Sequence, residues 1–216
     1  MPPSGLCPID AVVFDYGEVI VGADAGDWAQ MVEASSIEAQ SFADSYWRYR
    51  LDYDAGLTPT EYWSKVAEDC GATFTDEQVR RLNHLDAQHW MHVRPAVLDW
   101  IFAIQSAGKK IGLLSNMPLG LVPVFRRELS WFQRFDSLVF SCEVRVVKPN
   151  PAIYHASLRS LGTAPSRALF LDDKDYNVAG ARALGMHGIV FESLDQVCRD
   201  IARYDLPAPA LTMEGR

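Results

Sequence analysis

Four short stretches of this chain carry residue types that can do chemistry together. In the first, Ala11–Ile20, an apolar run stops at Asp15 and enters a turn through Gly17. A run of this length reads as a buried strand, and open α/β sheets bind ligands beyond the carboxyl ends of their strands. A carboxylate placed there needs a partner, a metal or a job, because an unpaired buried charge is expensive. The other stretches are Ser115-Asn116 after the strand-like run Lys110–Leu114, Lys148 just before Pro149, and Asp172-Asp173 after Ala168–Leu171. Carboxylates can form covalent phospho-intermediates. Phosphoryl transfer mostly needs positioning and charge neutralisation. Asp15 is therefore the candidate nucleophile. Ser115 and the N–H of Asn116 can hold phosphate oxygens, and Lys148 supplies a fixed positive charge. Acidic positions facing each other at one sheet edge invite Mg2+, which prefers oxygen ligands and keeps several waters.

These stretches converge only if the elements that carry them do. From Arg94 onward the pattern alternates strand and helix, with strands at 110–114, 137–141, 168–171 and 188–191. Alternating β and α units predict a parallel sheet with helices on both faces. Parallel strands point the same way, so Asp15, Ser115-Asn116 and Asp172-Asp173 fall at one edge. Between about Asp24 and His92 the character differs. Apolar residues recur at helical spacing, and no β-branched run appears. Thr58-Pro59 reads as an N-cap followed by proline in the first turn, and Thr75 with Gln78 as a capping box. This segment is expected to be a small all-helical cap over residues 22–92, inserted into an α/β core formed by 1–21 and 93–216. Residues 1–8 and the Pro/Ala tail from Pro207 are expected to be loose.

Bulk properties exclude several function classes. The 216 residues carry 20 Lys+Arg against 28 Asp+Glu, a formal charge of −8, with no basic run. Nucleic acid and anionic membranes are therefore poor partners, and a small anionic substrate needs a local positive site. No run is long and apolar enough to span a bilayer, and the N-terminus lacks signal-peptide features. The four cysteines are far apart and form no C-x-x-C pair, so a reduced, cytoplasmic setting is expected. Asp173–Asn177 imitates the start of an EF-hand loop but fails at Val178 and Leu184. His84, His89 and His92 match no common zinc spacing and read as surface-helix and hinge residues.

Phe14-Asp15-Tyr16-Gly17-Glu18-Val19, Leu114-Ser115-Asn116, Lys148-Pro149 and Leu171-Asp172-Asp173 with Asn177 and Gly180-Ala181 resemble the four ordered motifs of the haloacid dehalogenase superfamily. The resemblance covers nearly the whole chain, including a helical cap inserted after the first motif. It implies a Rossmann-like parallel sheet of about five strands and a Mg2+-dependent hydrolase acting on a small phosphorylated metabolite, as a monomer or homodimer. By resemblance, Asp15 is nucleophile and metal ligand, and Ser115 and Asn116 bind the phosphoryl group. Lys148 stabilises nucleophile and transferring group, Asp173 is the second metal ligand, and Asp172 orients Lys148 or a metal-bound water, with Asn177 beside it. The segment Tyr49–Gly56 lies where related caps place a substrate-contacting loop, so Arg50 or Asp54 is a candidate reader of a sugar or carboxylate; an ordinary inter-helix turn closed by Gly56 is the alternative. Arg94 is expected at the second cap hinge.

One departure matters. Phosphatases of this superfamily usually carry Asp two residues after the nucleophile, as proton donor and, through its carbonyl, as metal ligand. Here that position is Gly17. The carbonyl remains for metal, but losing a general acid costs roughly 10²–10⁴-fold with a poor leaving group. Bacterial α-glucose-1-phosphate phosphatases of this superfamily look similar at this motif, which points to a sugar phosphate with a good leaving group. Glu18 and Asp24 are substitute proton donors to consider. Two other readings are a metal-independent 2-haloacid dehalogenase, against which the acidic pair Asp172-Asp173 argues, and a non-catalytic module that senses a phosphorylated ligand.

Overall fold

A computed structural model of the chain describes residues 7–210. In chain order, β1 (Ala11–Phe14) is followed by the short β2 (Val21–Gly22). Four helices come next: α1 (Ala25–Ser35), α2 (Ala39–Asp54), α3 (Pro59–Asp69) and α4 (Asp76–His89). The chain returns through β3 (His92–Val93) to α5 (Pro95–Ser106), β4 (Lys110–Ser115), α6 (Val122–Glu128), β5 (Ser137–Phe140) and a one-turn α7 (Ser141–Val144). It closes with α8 (Pro151–Leu161), β6 (Ala168–Asp172), α9 (Asp175–Ala183), β7 (His187–Val190) and α10 (Leu194–Asp200).

The main sheet has the order β5-β4-β1-β6-β7, and each neighbouring pair is parallel. β1 is central, and its side chains alternate between two cores. Val12 and Phe14 point into one with Trp100, Ile101 and Ile104 of α5, Phe125 of α6 and Val197 of α10. Ala11 and Val13 point into the other with Ile153, Tyr154 and Leu158 of α8 and Ala181 of α9. A strand buried on both faces has no polar alternation, which is why Ala11–Phe14 reads as a continuous apolar run.

The helical segment has its own core. Phe42, Tyr46 and Tyr53 of α2 pack against Tyr62, Trp63 and Val66 of α3 and Leu82 and Leu85 of α4. The Tyr53 and Tyr62 rings stack with centroids 4.1 Å apart. Both threonine caps form full capping boxes, Thr58 with Glu61 and Thr75 with Gln78. Among the polar contacts that seat the cap on the α/β core, the Tyr16 hydroxyl donates to the Trp90 carbonyl at 2.7 Å, and two more lie beside the sheet edge. Ser141 Oγ donates to the Asp54 carbonyl at 2.6 Å, and Asn83 Nδ2 donates to the Gly120 carbonyl at 3.2 Å.

Several local expectations change. Tyr49–Asp54 is not a loop but the last turns of α2, because Phe42, Tyr46 and Tyr53 keep one apolar stripe until Gly56, whose φ of 116° ends the helix. β2 and β3 pair antiparallel where the chain passes between core and cap, and two residues are too few to show periodicity. α7 follows β5 directly. His89 is buried rather than on the surface, its Nδ1 at 2.7 Å from the Asp24 carbonyl, whereas His92 is exposed in β3. All four cysteines are free thiols. Among the described residues no helix is long and apolar enough to cross a membrane. The expected loose ends fall largely outside the described residues.

Gly120 marks how closely cap and core meet. A Cβ there would lie 2.1 Å from Asn83 Oδ1, 2.3 Å from the Tyr53 hydroxyl and 2.7 Å from Pro59 Cγ. Gly120→Ala is expected to lower stability by about 1–3 kcal/mol in urea unfolding, the usual cost of overpacking. An unchanged midpoint would show that this contact is not tight.

Candidate active site

The carboxyl ends of β1, β4 and β6 meet in a cavity of about 410 Å³ roofed by the cap. Asp15 follows β1 and still joins the ladder, its N–H donating to the Leu171 carbonyl at 2.8 Å. That bond aims its side chain outward at the sheet edge, where Oδ1 accepts from the Tyr16 N–H at 2.7 Å. Ser115 ends β4 and Asp172 ends β6, so the parallel register sets Asp15 level with Asp172 and Ser115 one residue further on.

Lys148 reaches this edge from the loop before α8 and is nearly inaccessible, at 2% exposure. Its Nζ lies 2.7 Å from Asp15 Oδ1 and 2.6 Å from Asp172 Oδ2. Burial alone would favour the neutral amine, but the two carboxylates outweigh it and hold the ammonium above its ordinary pKa. Burial pushes the Asp15 carboxyl up to about 7 against the pull of Lys148, and Asp172 adds to the rise. Asp172 is fixed by two further donors: Lys174 N–H at 2.8 Å and Asn177 Nδ2 at 3.0 and 3.1 Å from its two oxygens.

Asn116 holds Lys148 from the other side. Its Oδ1 accepts from the Lys148 N–H at 2.7 Å, and its Nδ2 donates to the Lys148 carbonyl at 3.2 Å. The Asn116 side chain is thus occupied in positioning the lysine, which leaves its backbone N–H for an anion. The Ser115 hydroxyl, beside it in the cavity, has only a long 3.4 Å contact to the Asn116 carbonyl.

The donor set suits a hard divalent cation. Carboxylate oxygens of Asp15, Asp172 and Asp173 lie within 4.8 Å of one another. Lys148 and Lys174, the latter 2.8 Å from Asp173, leave these three carboxylates one positive charge short. Asn177 Oδ1 is buried without a hydrogen-bond partner, an acceptor suited to a metal-bound water. These residues fit Mg2+. Gly17 lines the same cavity.

The cap wall brings Trp47, Arg50, Leu51, Asp54 and Trp90. Arg50 lines the cavity as expected, but from inside α2. Its Nη1 contacts Asp86 Oδ1 and Oδ2 at 3.1 and 3.2 Å and also the Tyr46 hydroxyl, while Nε lies 3.3 Å from Asp54 Oδ1. Much of its donor capacity is therefore spent within the cap. Glu18 lines the cavity but is paired with Arg94 at 2.7 Å. Asp24 is not among the lining residues; its Oδ1 caps α1 by accepting from the Gly26 and Asp27 N–H groups, which removes it as a proton donor.

Sequence reasoning missed Trp90 and Asp86. Trp90 ends α4 with its indole over Gly17, so that a Cβ on Gly17 would lie 3.3 Å from the ring. Asp86 sits at a position of α4 that reads as one more exposed acid, yet it is fully buried against Arg50.

Replacing Lys148 by methionine would leave Asp15 and Asp172 facing each other without their shared cation. Removing one partner of a buried ion pair costs about 3–5 kcal/mol. Lys148→Met is expected to lose that much stability in urea unfolding with EDTA present; a loss under about 1 kcal/mol would mean the cluster is not held by this charge.

Comparison with known proteins agrees with this geometry. The family model described as haloacid dehalogenase-like hydrolase matches residues 9–185. The putative phosphatase YhcW of Bacillus subtilis is 25% identical over 211 residues, covering 92% of this chain and 94% of that protein. The fold is shared with a HAD family enzyme, bt-2542 of Bacteroides thetaiotaomicron, solved in complex with magnesium and inorganic phosphate (TM-score 0.69, 20% identity, 88% of this chain and 98% of that one). It is also shared with L-2-haloacid dehalogenase from Xanthobacter autotrophicus (TM-score 0.64, 19% identity, 89% and 82%). The family match begins before Asp15 and ends beyond Asp173, taking in every stretch that meets at the sheet edge, and the chain belongs to the haloacid dehalogenase-like hydrolases.

Proposed function

We propose that this hydrolase is a Mg2+-dependent phosphatase that cleaves a small phosphorylated metabolite through an aspartyl-phosphate on Asp15. The observation that carries this reading is the convergence of Asp15, Ser115, Lys148 and the Asp172-Asp173 pair on one roofed cavity. Residues 22–92 act as the cap and the remainder as the catalytic core. Asp15, Asp173 and the Gly17 carbonyl would hold the metal, which when bound supplies positive charge against the phosphoryl oxygens.

The protein's own groups do the rest. Lys148 favours the ionised form of Asp15 and aims it, and faces the charge that builds on the transferring group. The Ser115 hydroxyl and the Asn116 N–H hold phosphoryl oxygens, and Asp172 with Asn177 fixes Lys148. The roof limits water around the reacting atoms. At its rim, exposed Trp47, Leu51 and Tyr176 offer flat apolar faces to the organic part of the substrate. Such faces suit a sugar ring, whose C–H side stacks on aromatic groups. The acidic pair at the end of β6 favours this reading over a metal-independent dehalogenase, which needs no cation site.

With Mg2+ present, the wild type is expected to hydrolyse p-nitrophenyl phosphate and members of a sugar-phosphate panel. EDTA should stop turnover, and Asp15→Asn should abolish it. Turnover retained by Asp15→Asn would exclude covalent catalysis through this residue. Halide release from a 2-haloacid in EDTA would support the dehalogenase reading instead, and tight phosphate-ester binding without turnover would mark a sensor.

A further inference from the structure

Gly17 leaves the cavity without the usual proton donor, and the indole of Trp90 fills the space over it. A poor leaving group still needs a proton as its bond to phosphorus breaks. Among the described carboxyls lining the cavity, Asp15 and Asp173 belong to the nucleophile and metal positions. Glu18 is turned to Arg94 and is 39% exposed at its side chain. The Tyr16 hydroxyl is committed to the Trp90 carbonyl at 2.7 Å. One carboxyl remains. We propose that Asp54, on the cap wall of the cavity, donates the proton to the leaving-group oxygen; this rests on the phosphatase reading above.

The placement is built from both halves of the molecule. Asp54 ends α2, and Ser141 Oγ donates to its carbonyl at 2.6 Å. The same hydroxyl oxygen accepts the Met117 N–H at 2.9 Å. One serine thus ties the Asp54 backbone to the turn that carries Ser115 and Asn116, the residues proposed to hold the phosphoryl group. Asp54 lines the same cavity as Ser115 and Asn116 and is close enough to Lys148 to sense its charge.

The charges around Asp54 bring its carboxyl closer to neutrality than an ordinary aspartate. Arg50 is shared between two buried acids, and the sharing is unequal. Asp86 takes two contacts from Nη1, at 3.1 and 3.2 Å, whereas Asp54 has a single long contact with Nε at 3.3 Å. One guanidinium cannot neutralise both acids. Burial pushes the Asp54 carboxyl up to about 6 against the pull of Arg50, and Asp86 adds to the rise while Lys148 opposes it. An acid poised near neutrality is what proton donation to an alkoxide requires.

The step balances. An Asp15 oxygen bonds to phosphorus, the phosphorus–oxygen bond to the leaving group breaks, and that oxygen takes the Asp54 proton, leaving Asp54 ionised. Water then attacks phosphorus, the bond to Asp15 breaks, inorganic phosphate forms, and the proton lost by the water returns to Asp54.

The test is a series of substituted phenyl phosphates, from 2,4-dinitrophenyl to unsubstituted phenyl, read as kcat/KM with Mg2+ present. Asp54→Asn keeps an acceptor oxygen for Arg50 but cannot donate an acidic proton. Its loss is expected to grow along the series, from about tenfold or less on the dinitrophenyl ester to about 10²–10³-fold on phenyl phosphate. Asp54→Glu should regain part of the loss on phenyl phosphate, and Asp54→Ser is read the same way as Asn should that variant not fold. A loss equal across the series would make Asp54 a structural or binding residue and overturn the proposal, as would no loss at all. If the wild type cleaves no ester of the series, the phosphatase reading itself falls and the role of Asp54 falls with it.

Discussion

A buried ammonium between two carboxylates sets the terms for the rest of this molecule. Lys148 sits within 2.7 Å of Asp15 and 2.6 Å of Asp172, and Lys148 and Asp172 are almost wholly out of water. Three buried charges are worth keeping only if each remaining lone pair and proton finds a partner. The structure supplies those partners from separate elements. Tyr16 N–H serves Asp15, Lys174 N–H and Asn177 serve Asp172, and the Asn116 side chain clamps the Lys148 backbone in both directions. The parallel sheet exists, in this sense, to bring the ends of β1, β4 and β6 to one edge around that ammonium.

The cap carries a second buried charge cluster that faces the first across the cavity. Arg50 is the cation there, with Asp54, Asp86 and the Tyr46 hydroxyl around it and the Trp90 ring 5.9 Å away. The two clusters differ in balance. In the core, two lysines face three carboxylates, which leaves room for a divalent cation. In the cap, one guanidinium faces two acids, which leaves room for a proton. Ser141 links the two by accepting from the Met117 N–H and donating to the Asp54 carbonyl.

Gly17 and Trp90 illustrate how one substitution reshapes such a site. A glycine removes the side chain usually found above the nucleophile, and an indole from the end of α4 takes the vacated space. The wall of the cavity over Gly17 is thus aromatic, and the acid that lines the cavity from the cap is Asp54. Trp47, Leu51 and Tyr176 continue the apolar surface to the rim.

The sequence by itself determined the order of elements, the single edge at which Asp15, Ser115 and Asp172 meet, and the caps of α3 and α4. These follow from local rules: an apolar run too short for a helix, capping residues at fixed spacing, and the shared direction of parallel strands. Lys148 was legible as the cation the other clusters need, and Asn177 only through the order of the motifs, since neither lies at a strand end. What the tertiary structure decided is which residues of the cap face the core. Asp54 was marked by its place before Gly56 and Asp86 not at all, yet both are buried around Arg50, one lining the cavity and the other sealed away from it. Trp90 reads as one more tryptophan of the cap, and only the return of the chain through β3 sets it over Gly17. Helical periodicity gives the face a residue occupies on its own helix. The partner of that face depends on how two separately cored layers are docked, and contacts that dock them, such as Ser141 with Asp54, Asn83 with Gly120 and Tyr16 with Trp90, join residues far apart in the chain.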